Sequence, residues 1–259
     1  MSAAPLVFIT GASSGIGQAL AARYRAAGWR IALVARRATE IEAWCRAQGW
    51  GEHEFAAYGA DVRDVMAITG AGRACIEQQG LPDVVIASAG ISIGMDSAEF
   101  DDLETMRRTL ETNVLGMAAT FQPFLKPMAA RRSGTLVGVA SVSAIRGLPG
   151  HGAYCASKAA VVNYCESLRG DCRAAGLRVV TLVPGYVSTP LTSRNSYSMP
   201  FMLSPAVFAE RAFTTIQHGV SYRVIPWQMG VVAKLMRLLP NPLFDRLFAG
   251  RGRKKRALE

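Results

Sequence analysis

An apolar run that ends in a glycine-rich turn, with a helical pattern starting inside that turn, constrains this chain more than any other feature. Residues 5–10 read "PLVFIT", residues 10–17 read "TGASSGIG", and "GIGQALAARYRAAGW" runs on to a glycine stop at Gly28. An apolar run without polar alternation suits a strand buried on both faces, and such strands belong to parallel sheets covered by helices. The alternation then repeats. "RIALVA" (30–35) precedes the helical "ATEIEAWCRAQG", and "HEFAAYGADV" precedes a helix over 63–80. "DVVIASAG" (83–90) precedes a long helical region near 99–130, "GTLVGVAS" (134–141) precedes a helix over 152–175, and "LRVVTLVPG" (177–185) follows. This order predicts an α/β fold: a single doubly wound domain, with a parallel sheet of about seven strands and helices on both faces. Ligands of such sheets bind at the C-terminal ends of the strands, where every motif below lies. With 259 residues, half of them hydrophobic, one domain suffices. Residues 1–226 are expected to form its body, including a loop at 190–205, and 227–259 an apolar and basic extension of it.

Charge narrows the classes of function. The net charge is +10, but +4 of it lies in residues 250–259, so a solvated tail is preferred to a nucleic-acid surface. No aromatic residues are interleaved with those cations, as single-strand binding would need. The apolar start is too short for a signal peptide, and no run is long enough to cross a bilayer. Five cysteines without CxxC spacing read as reduced thiols of a cytoplasmic protein, and three scattered histidines read as no metal site.

The glycine turn and the end of the second strand point to a dinucleotide. Gly11, Gly15 and Gly17 permit a tight turn and bring backbone amides to a pyrophosphate at a helix N-terminus. Their spacing is GxxxGxG rather than GxGxxG. The turn residues Gly11, Ser13, Ser14, Gly15, Ile16 and Gly17 are the candidate contacts. An NAD site would place an acid after "ALVA", to hold the ribose hydroxyls; here stand Arg36 and Arg37. Guanidinium groups suit a ribose 2′-phosphate, so NADP(H) is expected in preference to NAD.

"TGASSGIG", "NVLG", "SVS", "YCASK" and "PGYVSTP" stand in the order and spacing of the short-chain dehydrogenase/reductase family, which this chain resembles over about residues 5–190. The resemblance implies a Rossmann domain and a catalytic set of Asn113, Ser141, Tyr154 and Lys158. Lys158 lies one helical turn beyond Tyr154 on the same face, where its cation would favour the phenolate. A phenol with its ordinary pKa near 10 must be lowered to exchange protons at neutral pH. Lowering by three units needs roughly 4 kcal/mol, from Lys158 and an oxidised nicotinamide together. Tyr154 would then protonate the substrate oxygen as hydride arrives at carbon, with Ser141 hydrogen-bonding that oxygen. Asn113, a poor mid-helix residue, is expected at a helix distortion, linked to Lys158 through water.

The resemblance also implies cofactor contacts from Asp61 and Val62 at the adenine, and from Ala89 and Gly90 beside the ribose. Tyr154 and Lys158 would reach the same ribose, and Pro184, Gly185, Val187 and Thr189 the nicotinamide end. The family's "NNAG" is here Ala87-Ser88-Ala89-Gly90, which puts side-chain bracing of the central strand in doubt. Ser143 and Tyr186 join Ser141 and Tyr154 as candidate substrate contacts. Met199, Phe201, Met202 and Leu203 suggest an apolar, adaptable pocket for a lipophilic ketone or a 3-oxoacyl compound. The expected activity is carbonyl–alcohol interconversion without a metal; a non-catalytic redox sensor is the alternative. The family usually pairs its long helices across a dimer axis, so a homodimer or homotetramer is expected. For 227–259, packing on the body or a second subunit is preferred to membrane-surface contact.

Overall fold

The computed structural model describes residues 4–193, 195, 198–249 and 256. Seven strands form one parallel sheet: β1 (Leu6–Thr10), β2 (Arg30–Ala35), β3 (Phe55–Gly59), β4 (Val84–Ala87), β5 (Thr135–Val139), β6 (Arg178–Pro184) and β7 (Tyr222–Ile225). Their spatial order is β3-β2-β1-β4-β5-β6-β7, so the chain reverses direction across the sheet between β1 and β4. That reversal opens a crevice at the C-terminal ends of these two strands, where ligands of doubly wound sheets bind. The expected fold class is the observed one.

The apolar strands are explained by the layers on either side. On one face Leu6 and Phe8 pack with α3 (Val65–Gln79), α5 (Gly116–Arg131) and α6 (Gly152–Arg173). Phe8 meets Phe124 of α5 with ring centroids 4.9 Å apart. On the other face Val7 and Ile9 pack with α1 (Gly15–Ala26), α2 (Ala38–Ala47) and α7 (Pro205–Gln217). Because successive strand side chains point to opposite faces and both faces are covered, neither position can be polar. All five cysteines are buried and unpaired, and Cys165 and Cys172 fill the first of these layers.

Two features depart from the sequence outline. The helical region 99–130 is divided into α4 (Asp102–Leu110), a π-helical turn at Glu111–Leu115, and α5. The seventh strand, "YRVI", carries almost no sequence signal, being short and largely exposed. Beyond it, α8 (Trp227–Leu238) and α9 (Asn241–Phe248) dock on the body. Of the cationic tail, Arg251, Arg253, Lys254 and Lys255 lie outside the described residues. Arg256 donates to a buried Asp102 carboxylate at 2.7 Å.

Candidate active site

A cleft of about 320 Å³ runs across the crevice between β1 and β4. The turn after β1 forms its floor. Gly11 (φ 69°) and Gly15 (φ 58°) take left-handed conformations that disfavour other residues. A Cβ on Gly11 would lie 2.7 Å from the Cα of Ala89, so this turn and the end of β4 touch backbone to backbone. Ser13, Ser14, Ile16 and Gly17 line the same stretch, and α1 begins there with its first amides directed at the cleft. This narrow, side-chain-free cradle at a helix N-terminus fits a pyrophosphate. The residues present are compatible with a dinucleotide along the whole cleft.

At one end lie Arg36 and Arg37, both exposed and both on the cleft wall. Arg37 pairs with Glu40 at 2.8 Å. Asp61 and Val62 line the neighbouring wall, but the Asp61 carboxylate is already engaged by Arg63, with Nη2–Oδ2 at 2.7 Å. Hydrogen bonds from Arg63 hold its carboxyl below the usual carboxylate range. Arg63 and Arg108 also line this end, giving four guanidinium groups around it. Sequence reasoning missed both. The only local signal for Arg63 was its place two residues after Asp61.

The other end gathers Ser141, Tyr154 and Lys158, from the end of β5 and the first turns of α6. Ser141 is buried and caps a short 3-10 turn, accepting the Ser143 N–H at 3.2 Å, and its hydroxyl also bonds the Tyr154 phenol. The cap and the catalytic reading are therefore compatible. Lys158 is buried and donates from Nζ to the Val139 carbonyl at 2.9 Å, which aims the ammonium at the end of β5. It lies 5.7 Å from the Tyr154 ring centroid.

In the chain alone, burial acts on both Tyr154 and Lys158. Burial pushes the Tyr154 phenol up to about 12, with the Ser141 hydrogen bond pulling the other way. Burial also pushes Lys158 down to about 8. Desolvation disfavours the charged form of each group and is the largest influence on both.

Asn113 sits in the π-helical turn, where the widened backbone frees its side chain to face β4. Its Oδ1 accepts the Ile91 N–H at 2.8 Å, and its Nδ2 donates to the Ile91 carbonyl and to Ser157 Oγ, each at 2.9 Å. Ser157 in turn donates to the Tyr154 carbonyl at 2.8 Å. The expected helix distortion is present, and Asn113 links the end of β4 to α6. The bracing that the missing asparagines put in doubt comes from Asn113 and from Thr10, whose hydroxyl accepts the Ala89 N–H. A Cβ on Gly90 would lie 3.2 Å from Asn113 Oδ1 and 3.4 Å from Lys158 Nζ, close enough to press on both side chains.

Pro184, Gly185, Val187 and Thr189 line the wall after β6. The Thr192 hydroxyl, unnoticed in the sequence, bonds the Val187 carbonyl and accepts the Thr189 N–H at 3.0 Å, and so shapes this turn. Ser143 and Tyr186 flank the cleft without lining it; the Tyr186 carbonyl accepts the Leu203 N–H at 2.9 Å. Leu203 packs into the core, whereas Phe201 and Met202 face solvent at 50% and 42% exposure. Pro190, Leu191 and Thr192 are the part of the 190–205 loop that lines the cleft, and Met199, Phe201, Met202 and Leu203 do not. Asn195 and residues 198–203 are described, but Arg194, Ser196 and Tyr197 lie outside the described residues.

Known proteins agree with this architecture. The family model described as short chain dehydrogenase matches residues 5–199. An uncharacterized oxidoreductase of Myxococcus xanthus is 38% identical over 92% of this chain and 93% of its own length. The solved structure of a short-chain dehydrogenase/reductase from Burkholderia phymatum in complex with NAD superposes with a TM-score of 0.80, at 23% identity, over 90% of this chain and 92% of that one. An alcohol dehydrogenase from the archaeon Thermococcus sibiricus, complexed with 5-hydroxy-NADP, superposes with a TM-score of 0.76 at 25% identity, over 86% and 96%. This chain belongs to the short-chain dehydrogenase/reductase family, oxidoreductases that interconvert carbonyl and alcohol groups with a nicotinamide dinucleotide.

Proposed function

We propose that this protein is an NADPH-dependent carbonyl reductase in which Tyr154 is the general acid. The observation that carries the reading is the convergence of Ser141, Tyr154 and Lys158 on one cleft whose lining also includes Arg36 and Arg108. A bound NADPH supplies hydride to the carbonyl carbon; everything else is the work of the chain. With its pKa near 12, Tyr154 holds its proton at neutral pH and has it ready for the substrate oxygen. Ser141 shares a hydrogen bond with that phenol and would hold the same oxygen in line, stabilising the charge that develops on it. Lys158, charged below about pH 8, offers a buried cation beside the phenol and lowers the cost of releasing its proton.

Asn113 is a positioning residue, tying β4 to the helix that carries Tyr154 and Lys158. Arg36, exposed on the cleft wall and with its neighbour Arg37 paired to Glu40, is the candidate partner of a 2′-phosphate. Arg108 supports it from the facing wall. The Thermococcus sibiricus alcohol dehydrogenase, complexed with an NADP derivative, is consistent with this preference, although the Burkholderia phymatum structure holds NAD. The apolar wall at Pro190 and Leu191 favours a lipophilic ketone or acyl compound. The test is oxidation of NADPH against NADH over ketones graded in size and polarity, including acyl thioesters and sterols. NADPH turnover with at least one apolar ketone supports the reading; preference for NADH, or no turnover with any carbonyl despite measurable NADPH binding, overturns it.

A further inference from the structure

The two C-terminal helices leave an apolar face that the catalytic body does not use. Along α8, Trp227, Val231, Leu235 and Leu238 are exposed by 65, 48, 59 and 79%. Their spacing puts them on one stripe of the helix. The opposite face, with Met229, Gly230 and Ala233, is buried, and a Cβ on Gly230 would lie 3.2 Å from Val224 of β7. In α9, Leu243 and Leu247 are likewise exposed one turn apart, while Phe244 is buried. Arg146, in the loop after Ser141, holds both helices. Its guanidinium donates to the Met236 carbonyl and to the Leu239 carbonyl at 2.7 Å, and lies 3.8 Å over the Phe244 ring. The stripe is thus presented on rigid helices joined to the active-site end of the sheet, not on a frayed terminus.

Its charge indicates what covers it. Residues 227–259 hold eight Lys and Arg against two acids, a net +6 of the chain's +10. Lys234 lies exposed within the stripe, with Arg237 and Arg246 exposed beside it. Five further cations follow α9 in the sequence, of which Arg256 is paired with Asp102. A second copy of the chain meeting this face across a twofold axis would set Lys234, Arg237 and Arg246 against their own copies, which disfavours a self-contact. No described helix is long and apolar enough to cross a membrane. Short helices with an apolar stripe, a tryptophan and a rim of cations have instead the composition of helices that lie in a bilayer interface, with lysine stems extending to the headgroups.

We propose that α8 and α9 dock the folded enzyme on an anionic lipid surface, with the stripe Trp227–Val231–Leu235–Leu238 entering the interface and the cations meeting the headgroups. This goes beyond the proposed reaction and does not depend on it. The test is co-sedimentation of the full-length protein with phosphatidylcholine vesicles, with and without phosphatidylglycerol, at low and raised salt. Binding should be about tenfold or more stronger to the anionic vesicles and weaken with salt. Leu235→Glu with Leu238→Glu should reduce it about tenfold or more, and Lys234→Glu with Arg237→Glu by roughly fivefold per cation lost. Both pairs are exposed, and circular dichroism confirms folding of each variant. Equal binding to both vesicle types, no binding to either, or unchanged binding of the Leu235→Glu/Leu238→Glu variant overturns the proposal. So does a wild-type oligomer that this variant dissociates, which would show a second copy on the stripe.

Discussion

The two walls at the substrate end of the cleft are held in different ways. On the β5–α6 side, Lys158 is tied to the Val139 carbonyl, Asn113 makes three hydrogen bonds to Ile91 and Ser157, and Ser141 caps its own turn. All of these partners are main chain or short side chains fixed by regular elements. On the opposite side, Val187 is buried in the core and Leu203 packs against it, while Phe201 and Met202 stand in solvent. The comparison teaches where each kind of information resides. The groups proposed for proton transfer are held by α6 and the end of β5, the fixed placement that such chemistry requires. The wall that would discriminate among substrates is a loop, whose weak attachment leaves it free to vary.

Tyr154→Phe breaks the rigid side most directly. It removes the proposed acid while keeping the ring, and kcat should fall by roughly 10²–10⁴-fold with NADPH binding retained. Retained turnover would remove Tyr154 from the mechanism. Arg36→Asp probes the far end of the cleft: the kcat/KM ratio of NADPH to NADH should drop by about tenfold or more, through the lost charge-assisted bonds. An unchanged ratio would place the selectivity elsewhere, with Arg108 the next residue to exchange.

Asn113→Ala should destabilise the fold by about 1–3 kcal/mol, because it leaves the Ile91 N–H and carbonyl without partners. If Asn113 positions the helix, kcat should fall with it while the KM for NADPH changes little. A pure loss of thermal stability would reduce it to a packing role. The pH profile has a definite sign. Lys158 loses its charge as pH rises through about 8, so reductive kcat/KM should decline above that pH, by about tenfold per unit, and level off below it. A profile flat into the alkaline range would show that Lys158 stays charged in the working complex. The smallest effect belongs to the exposed loop beyond the cleft wall. Met202→Ser should change stability by less than about 0.5 kcal/mol, and a larger loss would mean that this loop packs like the opposite side.

Much of the cleft was legible in the sequence because its constraints are local. The glycines at 11 and 15 are needed for their own backbone angles, and Tyr154 and Lys158 share a face by helical spacing alone. Arg63, Thr192 and Ser157 were not legible, because each acts through a neighbour whose orientation depends on the folded chain. Arg63 takes up the Asp61 carboxylate, and Thr192 closes the turn that presents Val187 and Thr189. The effect of burial on the proton affinities of Tyr154 and Lys158 was not legible for a related reason. Spacing reveals that a cation is near a phenol; the depth to which both are buried does not appear in it.

The exposed stripe on α8 shows the same division. The sequence revealed short apolar segments rich in cations, but not which side chains the body would cover. Alternation of apolar runs with helical repeats determined the layered parallel sheet on its own, since a strand buried on both faces has no other stable setting. The order of motifs determined the family. Only the tertiary structure decided that Asn113 braces β4, that burial shifts the proton affinities of Tyr154 and Lys158, and that Leu235 and Leu238 face outward. Each of these depends on distances between segments far apart in the chain, set by packing rather than by any local pattern.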